Sequence, residues 1–405
     1  MRGFDGQAER YDKKRWGYLF LSVLIMLCLG TVYSWSVFRG PVEQLFGIGK
    51  TQSGFPYMVS LAMYAVFMML TGRHIDKYNP GYIIMVGAAF VASGWIISSF
   101  APNIYVLTIT YGFLIGAGVG ITYGVPMTII ARLFPEKKGL AVGFVLGGFG
   151  LSPLITAPIA NYFMSSFGIR RTFLILGIVF GILIPLITLP FFWFRFEKLK
   201  APSNSKKKSS NHANLDTVNM IKTSNFKGLY VSFGIGTMIG LMLIGITSSV
   251  GSELIKMPQG NVTLLMSLFA IFNGIGRPTF GFMTDKLSVK KSMLISFLLI
   301  TIAAILMIIA DERDYVLFGL AFSIFWFNLG GWLAIAPAAT IAMYGTKHYS
   351  QNFGVVFTAY GFGAILGVLT SGLLHDISGD YNSIFYLVIV LCLLGGISSQ
   401  FMIKE

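Results

Sequence analysis

Charged residues are scarce in this chain: Asp, Glu, Lys and Arg make up 11% of its 405 residues, whereas a soluble domain carries about 25%. Apolar runs recur from Trp16 to Ile403 and are too numerous for one soluble core. Since about 20 apolar residues span a bilayer as a helix, the sequence predicts an all-α membrane protein with about twelve transmembrane helices. The predicted spans are 17–38, 53–72, 81–100, 103–131, 138–164, 171–193, 227–250, 261–283, 289–310, 315–344, 351–374 and 382–403.

Cysteine and buried acids are also lacking. The two cysteines, Cys28 and Cys392, fall inside apolar runs, which indicates small buried side chains and gives no support for a disulfide. The predicted spans contain no Asp, Glu or His, and therefore no cluster of these residues with catalytic or metal-ligating spacing. We expect no enzyme activity, no cofactor and no metal site.

The positive charge is distributed unevenly across the predicted membrane. Of 30 Lys and Arg, 23 fall on the side of the N terminus and 6 on the other side, with Arg277 inside a span. Positively charged loops stay in the cytoplasm, so we expect both termini to be cytoplasmic. The net charge of +14 is then a topology signal, with attraction to anionic lipid as a secondary effect, and no nucleic-acid partner is expected.

The longest polar stretch divides the chain into two halves. Residues 195–227 include three consecutive lysines at 206–208, among serines and asparagines without helical spacing. This composition is typical of a flexible tether. We predict an N-terminal six-helix bundle over 1–194, a cytoplasmic linker over 195–226 and a C-terminal six-helix bundle over 227–405.

The two halves also resemble each other. Three sets of residues recur in the same order at nearly one offset, which indicates an internal repeat. They are Gly72, Asp76 and Lys77 with Gly281, Asp285 and Lys286 at an offset of 209, Pro126 with Pro337 at 211, and Phe149-Gly150 with Phe362-Gly363 at 213.

Four short motifs, spread over both halves, are similar to motifs of one transporter family. They are Gly30-Thr31-Val32-Tyr33-Ser34-Trp35-Ser36-Val37-Phe38, Phe134-Pro135-Glu136-Lys137-Lys138-Gly139-Leu140-Ala141, Gly240-Leu241-Met242-Leu243-Ile244-Gly245 and Asn273-Gly274-Ile275-Gly276-Arg277-Pro278. With the repeat, they resemble the major facilitator superfamily and, within it, the oxalate/formate antiporter family, close to bacterial monocarboxylate (lactate) transporters. The resemblance implies two pseudo-symmetric six-helix bundles, a secondary transporter in the plasma membrane of a prokaryote, and a monomer as the functional unit.

One cation, Arg277, lies deep inside a predicted span. No other residue from Phe269 to Phe282 is charged, and a guanidinium at membrane depth costs about 3 kcal/mol on insertion scales. Arg277 precedes Asp285 by 8 residues, which places it roughly 12 Å from the helix end. Asn273 lies one turn earlier on the same helix face. We expect both side chains to bind a small carboxylate. The alternative is an arginine that snorkels to the interface or caps a structural network.

The resemblance implies further substrate-facing residues in spans one, four, ten and eleven. A tyrosine hydroxyl is a directional donor for a carboxylate, while its ring excludes water. For any single aromatic residue the alternative is packing, because the chain has 36 Phe, 18 Tyr and 6 Trp. The implied residues are Tyr33, Tyr123, Asn328, Trp332 and Tyr360.

The resemblance also implies charged residues that brace one conformation at the cytoplasmic helix ends. In the superfamily such aspartates pair with basic groups across the bundle. The matching residues here are Asp76 and Asp285, with Arg132 at the end of the fourth span. The alternative is a solvated charge at a helix end.

The number of buried cations bears on the substrate. Oxalate-type members of the family carry a lysine in span eleven, but residues 352–374 of this chain contain no Lys or Arg. One arginine balances one carboxylate, whereas a second, uncompensated carboxylate would be costly to bury. We therefore expect a proton-coupled carrier of monocarboxylates such as lactate, pyruvate, formate or acetate. The alternatives are an oxalate/formate-type exchanger and a membrane sensor without transport.

Overall fold

The structure is a computed structural model. It describes residues 2–75, 77–134, 138–194, 214–345 and 348–404, and it describes side chains from Arg15 onwards apart from those of 138–140 and 350. Over these residues all regular structure is helical, which confirms the predicted all-α class.

The helices follow one another with short connections. In chain order, the α-helices are Arg2–Leu29, Trp35–Phe46, Lys50–Ser53, Phe55–Gly72, Pro80–Ser98, Ile104–Leu107, Gly116–Leu133, Lys138–Thr188, Thr217–Met220, Ser224–Ser249, Gln259–Lys286, Val289–Ile308, Tyr315–Tyr344, Tyr349–Ser378 and Asn382–Met402. Tighter 3₁₀ segments at Gly30–Ser34 and Leu189–Trp193, and wider π-helical segments at Thr108–Ile115 and Val250–Leu254, join or extend some of them.

Ten helical segments of the described chain are long and apolar enough to cross a membrane. One of them, Ala141–Trp193, contains two helices that meet at Gly168, whose φ of 77° is readily adopted by glycine. Gln259–Lys286 is a further helix of 28 residues, whose polar residues include Asn273 and Arg277. The described residues thus form twelve spans, numbered one to twelve in chain order.

Local sequence sets where several spans begin. Asn79 accepts a hydrogen bond from the backbone N–H of Gly81 at 2.8 Å, and Pro80 occupies the first turn of span three. The side chain of Asn103 accepts from two backbone N–H groups at the start of span four. Thr223 likewise caps span seven, which begins at Ser224, three residues before the predicted 227. Residues 195–213 of the predicted linker at 195–226 lie outside the described residues.

The twelve spans form two bundles. Spans one to six pack together, spans seven to twelve pack together, and the halves meet chiefly where span two packs on span eleven and span five on span eight. We call the end of the molecule that holds both chain termini the terminal face, and the end that holds residues 47–50 and 255–258 the opposite face. This arrangement confirms the predicted fold of two repeated halves.

Spans two and eleven are in contact at both ends. At the opposite face, a Cβ added to Gly372 would lie 2.5 Å from the Cα of Thr51. Near the terminal face, a Cβ on Gly354 would lie 3.4 Å from the side chain of Met69. The close helix approach that glycine allows therefore continues along the whole pair, and the space between the halves is closed along this side.

Span one is longer than the sequence predicted. The prediction ended the span at residue 38, but the helix Trp35–Phe46 continues for two more turns with Pro41 inside it. A 3₁₀ segment, Gly30–Ser34, precedes this helix. The extension places Arg39, which lies just outside the predicted span 17–38, inside the packed part of the protein.

Candidate functional site

Arg277 lies at the boundary between the two halves. Its side chain is 2% exposed and does not point into lipid. Nη1 donates a hydrogen bond at 2.5 Å to the backbone carbonyl of Leu146 in span five, and Nη2 lies 3.5 Å from Oδ1 of Asn273. The guanidinium carbon lies 6.0 Å from the ring centre of Phe149. An arginine of the second half is therefore held against span five of the first half.

The charge of Arg277 has no carboxylate partner within the described part of the chain. The ion pairs formed there involve Arg39, Lys50 and His375. The Nε–H group of Arg277 is also buried without a hydrogen-bond acceptor among the described residues. Because a buried donor without an acceptor is costly, this geometry favours an anion that accepts from Nε.

Asn273 is held between spans ten and five. Its Nδ2 donates to the backbone carbonyl of Trp326 at 3.1 Å, which turns Oδ1 toward Arg277 and span five. Gly150 of span five leaves the room: a Cβ there would lie 2.4 Å from Oδ1 of Asn273 and 3.3 Å from Nε of Arg277. Any side chain at position 150 would therefore crowd the Nε–H group of Arg277.

Three predicted tyrosines lie in one aromatic cluster beside Arg277. The hydroxyls of Tyr33 and Tyr360, one from each half, share a hydrogen bond of 2.9 Å, and both side chains are fully buried. Tyr123 packs against Tyr64, with ring centres 4.9 Å apart. Tyr64 in turn lies 5.5 Å from Tyr360. The structure therefore brings Tyr33, Tyr123 and Tyr360 together.

Two phenylalanines complete this cluster. The ring of Phe149 contacts Tyr33 and Tyr123 at 5.1 and 5.3 Å between ring centres. Phe357 lies one turn before Tyr360 and stacks on it at 4.8 Å. Phenol hydroxyls and apolar ring faces thus lie side by side next to Arg277, a combination that suits a small anion with an apolar end. Sequence reasoning missed Tyr64 and Phe357, because nothing in their local sequence separates them from packing residues.

Asn328 and Trp332 of span ten are not brought to Arg277. Asn328 accepts a hydrogen bond from Ser296 of span nine at 2.7 Å, and Trp332 packs on Phe297 with ring centres 5.0 Å apart. Span ten reaches the site through the carbonyl of Trp326 and through Gly330, where a Cβ would lie 2.1 Å from the carbonyl oxygen of Asn273. Two residues along a helix turn it by roughly 200°, so Asn328 and Trp332 lie on the face turned away from the site.

The structure describes two of the three charged residues that were predicted to brace the terminal face. Asp76 lies outside the described residues. Asp285 and Arg132 are both exposed on this face. Their proposed bracing role stays a prediction.

A second buried arginine, Arg39, was not predicted. Its guanidinium is 2% exposed; Nε donates to the hydroxyl of Ser53 at 2.8 Å and Nη1 to the carbonyl of Gly245 at 3.2 Å. Glu43, one turn later, lies 3.4 Å from Nε. The expectation that Arg277 is the only cation inside the apolar part is therefore wrong. The i, i+4 spacing of Arg39 and Glu43 was the signal that could have revealed it.

The sequence is similar to known transporters along its whole length. The family model of the Major Facilitator Superfamily matches residues 16–253 and 232–404. The oxalate:formate antiporter of Oxalobacter formigenes is 31% identical over 364 residues, which are 89% of this chain and 85% of that protein. Monocarboxylate transporter 12 of Xenopus laevis is 26% identical over 75% of this chain and 70% of that protein. These matches confirm the resemblance that the motifs indicated.

Solved structures share the fold. The nucleoside transporter NupG superposes with a TM-score of 0.71 at 15% identity, covering 96% of this chain and 100% of that one. A bacterial homologue of the human lysosomal transporter Spinster superposes with a TM-score of 0.67 at 16% identity, covering 96% and 93%. At such identities the likeness shows the fold alone.

Proposed function

The chain belongs to the Major Facilitator Superfamily and, within it, to the family of the oxalate:formate antiporter, and from this membership we propose that it carries small monocarboxylates by alternating access around Arg277. Members of the superfamily are transporters, so the chain is a membrane transporter and not an enzyme. The proposed substrates are lactate, pyruvate, formate and acetate. Alternating access exposes a site between two bundles to one side of the membrane at a time.

The observation that carries this proposal is the unsatisfied state of Arg277. It is a buried cation without a carboxylate partner in the described chain, and its Nε–H lacks an acceptor there. A carboxylate would supply both the opposite charge and the acceptor, with the fork geometry that guanidinium favours. The tyrosine hydroxyls nearby are further donors for the same anion.

A monocarboxylate fits the charges better than a dicarboxylate. The only other buried guanidinium in the described spans, that of Arg39, is already paired with Glu43. Span eleven offers Phe357 and Tyr360 to the site, and neither is a cation. An oxalate/formate-type exchange remains the second candidate, because the relative that shares 31% identity is an oxalate:formate antiporter.

Coupling to protons is part of the proposal. No Asp, Glu or His side chain contacts Arg277 within the described residues, so none of these groups holds the coupled proton beside the bound carboxylate. Both termini are proposed to be cytoplasmic, from the distribution of Lys and Arg. Intravesicular pH during uptake tests the coupling: full uptake with unchanged pH rejects it.

The function is tested by binding and flux together. Purified protein is screened by thermal shift against C1 to C5 monocarboxylates and oxalate, since ligands stabilise by mass action. We expect stabilisation by lactate-sized monoanions, lost in Arg277→Gln and only partly restored in Arg277→Lys. Arg73→Gln, which removes an exposed arginine of the terminal face, is the matched control.

Uptake measurements distinguish the monocarboxylate carrier from the oxalate/formate-type exchanger. In proteoliposomes we expect uptake of labelled lactate that excess unlabelled oxalate does not inhibit. Strong inhibition by oxalate favours the exchanger. A monocarboxylate that stabilises Arg277→Gln as well as the native protein rejects the proposed site.

A further inference from the structure

The two halves are joined at the opposite face by shared charges. Lys50, the first residue of span two, binds Glu43 of its own half at 2.7 Å and Glu253 of the other half at 2.5 Å. Lys50 is 14% exposed and Glu253 is 42% exposed. The ion pair between Lys50 and Glu253 is thus partly shielded from water. Water and salt therefore screen it less than they screen a pair that is exposed on both sides.

A second carboxylate reaches across at the same place. Asp376, at the end of span eleven, accepts hydrogen bonds from the backbone N–H groups of Lys50 and Thr51 at 3.2 and 3.1 Å. It also accepts from the hydroxyl of Thr51 at 2.5 Å. The carboxylate of one half therefore caps the N terminus of a span of the other half, where negative charge is favoured.

Glu253 is held for this contact by its own half. The hydroxyl of Tyr381 donates to Oε2 of Glu253 at 3.1 Å, and Nε2 of His375 lies 4.0 Å from the same oxygen. Burial raises the pKa of Tyr381 far above its ordinary value, so this hydroxyl stays protonated and remains a donor. Glu253 thus keeps one oxygen for its own half and one for Lys50.

The charges on the two sides are complementary. On the first half, Arg39, Glu43 and Lys50 sum to one positive charge, while Glu253 and Asp376 on the second half sum to two negative charges. Opening the opposite face would separate these charges. It would also break the hydrogen bond from Arg39 to the carbonyl of Gly245 in span seven.

The elements that carry these charges contain irregular turns. A 3₁₀ segment at Gly30–Ser34 lies just before the helix that carries Arg39 and Glu43, and a π-helical turn at Val250–Leu254 carries Glu253. Such turns inside long helices often mark hinges or functional sites. At these turns we expect the charged ends to move relative to the rest of each span.

We propose that Glu253 and Asp376, bound to Lys50 and Thr51, form a latch that holds the opposite face closed and breaks each time Arg277 is exposed on that side. The inference rests on the transport cycle proposed above. It assigns these carboxylates a role in the equilibrium between closed and open states and none in substrate binding.

The test measures access and needs no substrate. In a background of Cys28→Ser and Cys392→Ser, a single reporter, Ser249→Cys, is labelled with a maleimide; Ser249 is buried one turn before Glu253. We expect Glu253→Gln or Asp376→Asn to raise the labelling rate about 5-fold. This factor corresponds to the loss of about 1 kcal/mol of stabilisation of the closed state. The double variant should be faster still.

Two controls make the result decisive. Asp311→Asn removes an exposed carboxylate for which the described residues show no contact across the halves, and it should leave labelling unchanged. A second reporter, Ser232→Cys, is buried between spans seven and twelve, away from the latch. Labelling at Ser249→Cys that the double variant does not change overturns the latch. Equal acceleration at Ser232→Cys also overturns it, because that result indicates general loosening. Either failure leaves carboxylate binding at Arg277 untouched, so the two proposals are judged separately.

Discussion

Replacing Gly150 with alanine tests the candidate site where span five meets Asn273 and Arg277. The new Cβ would lie 2.4 Å from Oδ1 of Asn273, 3.3 Å from Nε of Arg277 and 3.4 Å from Nη2. An ordinary contact needs at least about 3.4 Å, so the amide of Asn273 has to move by roughly 1 Å. Its hydrogen bond to the carbonyl of Trp326 opposes that movement.

The expected effect on binding follows from what the methyl group covers. It would lie against the Nε–H that we propose donates to the carboxylate. A hydrogen bond to a charged group contributes about 1.5–3 kcal/mol, which corresponds to about a 10- to 150-fold weaker Kd. The strain of the added methyl should lower stability by about 1–3 kcal/mol as well.

The same helix offers a matched control. Gly147 lies less than one turn before Gly150, and a Cβ there would meet nothing within 4 Å. Gly147→Ala should therefore bind like the native protein and gain slightly in stability, since alanine favours the helix by about 0.5–1 kcal/mol. Kd for the best monocarboxylate, from the concentration dependence of the thermal shift, is the measurement for both variants. If Gly150→Ala binds as tightly as Gly147→Ala, the carboxylate does not use Nε, and the site is wrongly drawn.

Two further predictions concern stability more than affinity. Tyr33→Phe should lower the free energy of unfolding by about 1–3 kcal/mol, because it leaves the buried hydroxyl of Tyr360 unpaired. In the double variant with Tyr360→Phe, the free energy lost per substitution should be smaller. Chemical unfolding in detergent measures both values. Asn328→Ala should lower the midpoint of thermal unfolding, since Ser296 loses its partner, while Kd for the carboxylate stays unchanged; a weaker Kd would place Asn328 in the site after all.

The sequence was sufficient for the architecture because the signals were long and redundant. Apart from the end of span one, apolar runs predicted the spans to within a few residues, and the repeated residues predicted two similar halves. Arg277 could be found because it is one charge within a long uncharged run, and Asn273 because it shares its helix face. The carboxyl-terminal part of span one was missed because Arg39, Pro41 and Glu43 look like the end of an apolar run. In the structure, Arg39 and Glu43 neutralise each other inside the protein.

The faces of span ten could not be read from its sequence. Almost every residue from Tyr315 to Tyr344 is apolar or small, so no polar stripe tells the site face from the face on spans seven and nine. Asn328 and Trp332 share a face, since both contact span nine, but tertiary packing decides which neighbour that face meets. The same holds for Tyr64 and Phe357, whose role depends on the contact between spans two and eleven.

The unpaired charge of Arg277 also bears on how the carrier turns over. In a closed state without substrate, the guanidinium is desolvated, and its acceptors in the described chain are a backbone carbonyl and an amide oxygen. A bound carboxylate lowers the free energy of that closed state, since it supplies the missing charge. The loaded carrier should therefore pass through the closed state faster than the empty one.

We thus expect that unlabelled substrate inside proteoliposomes accelerates uptake of labelled substrate. The acceleration should be at least about tenfold, since that needs a difference of only about 1.4 kcal/mol. Latch variants should retain this acceleration, because the latch acts equally on loaded and empty carriers. Uptake that does not depend on internal substrate would mean that the empty carrier closes just as readily. In that case Arg277 would have to be neutralised by a protein group when no anion is bound.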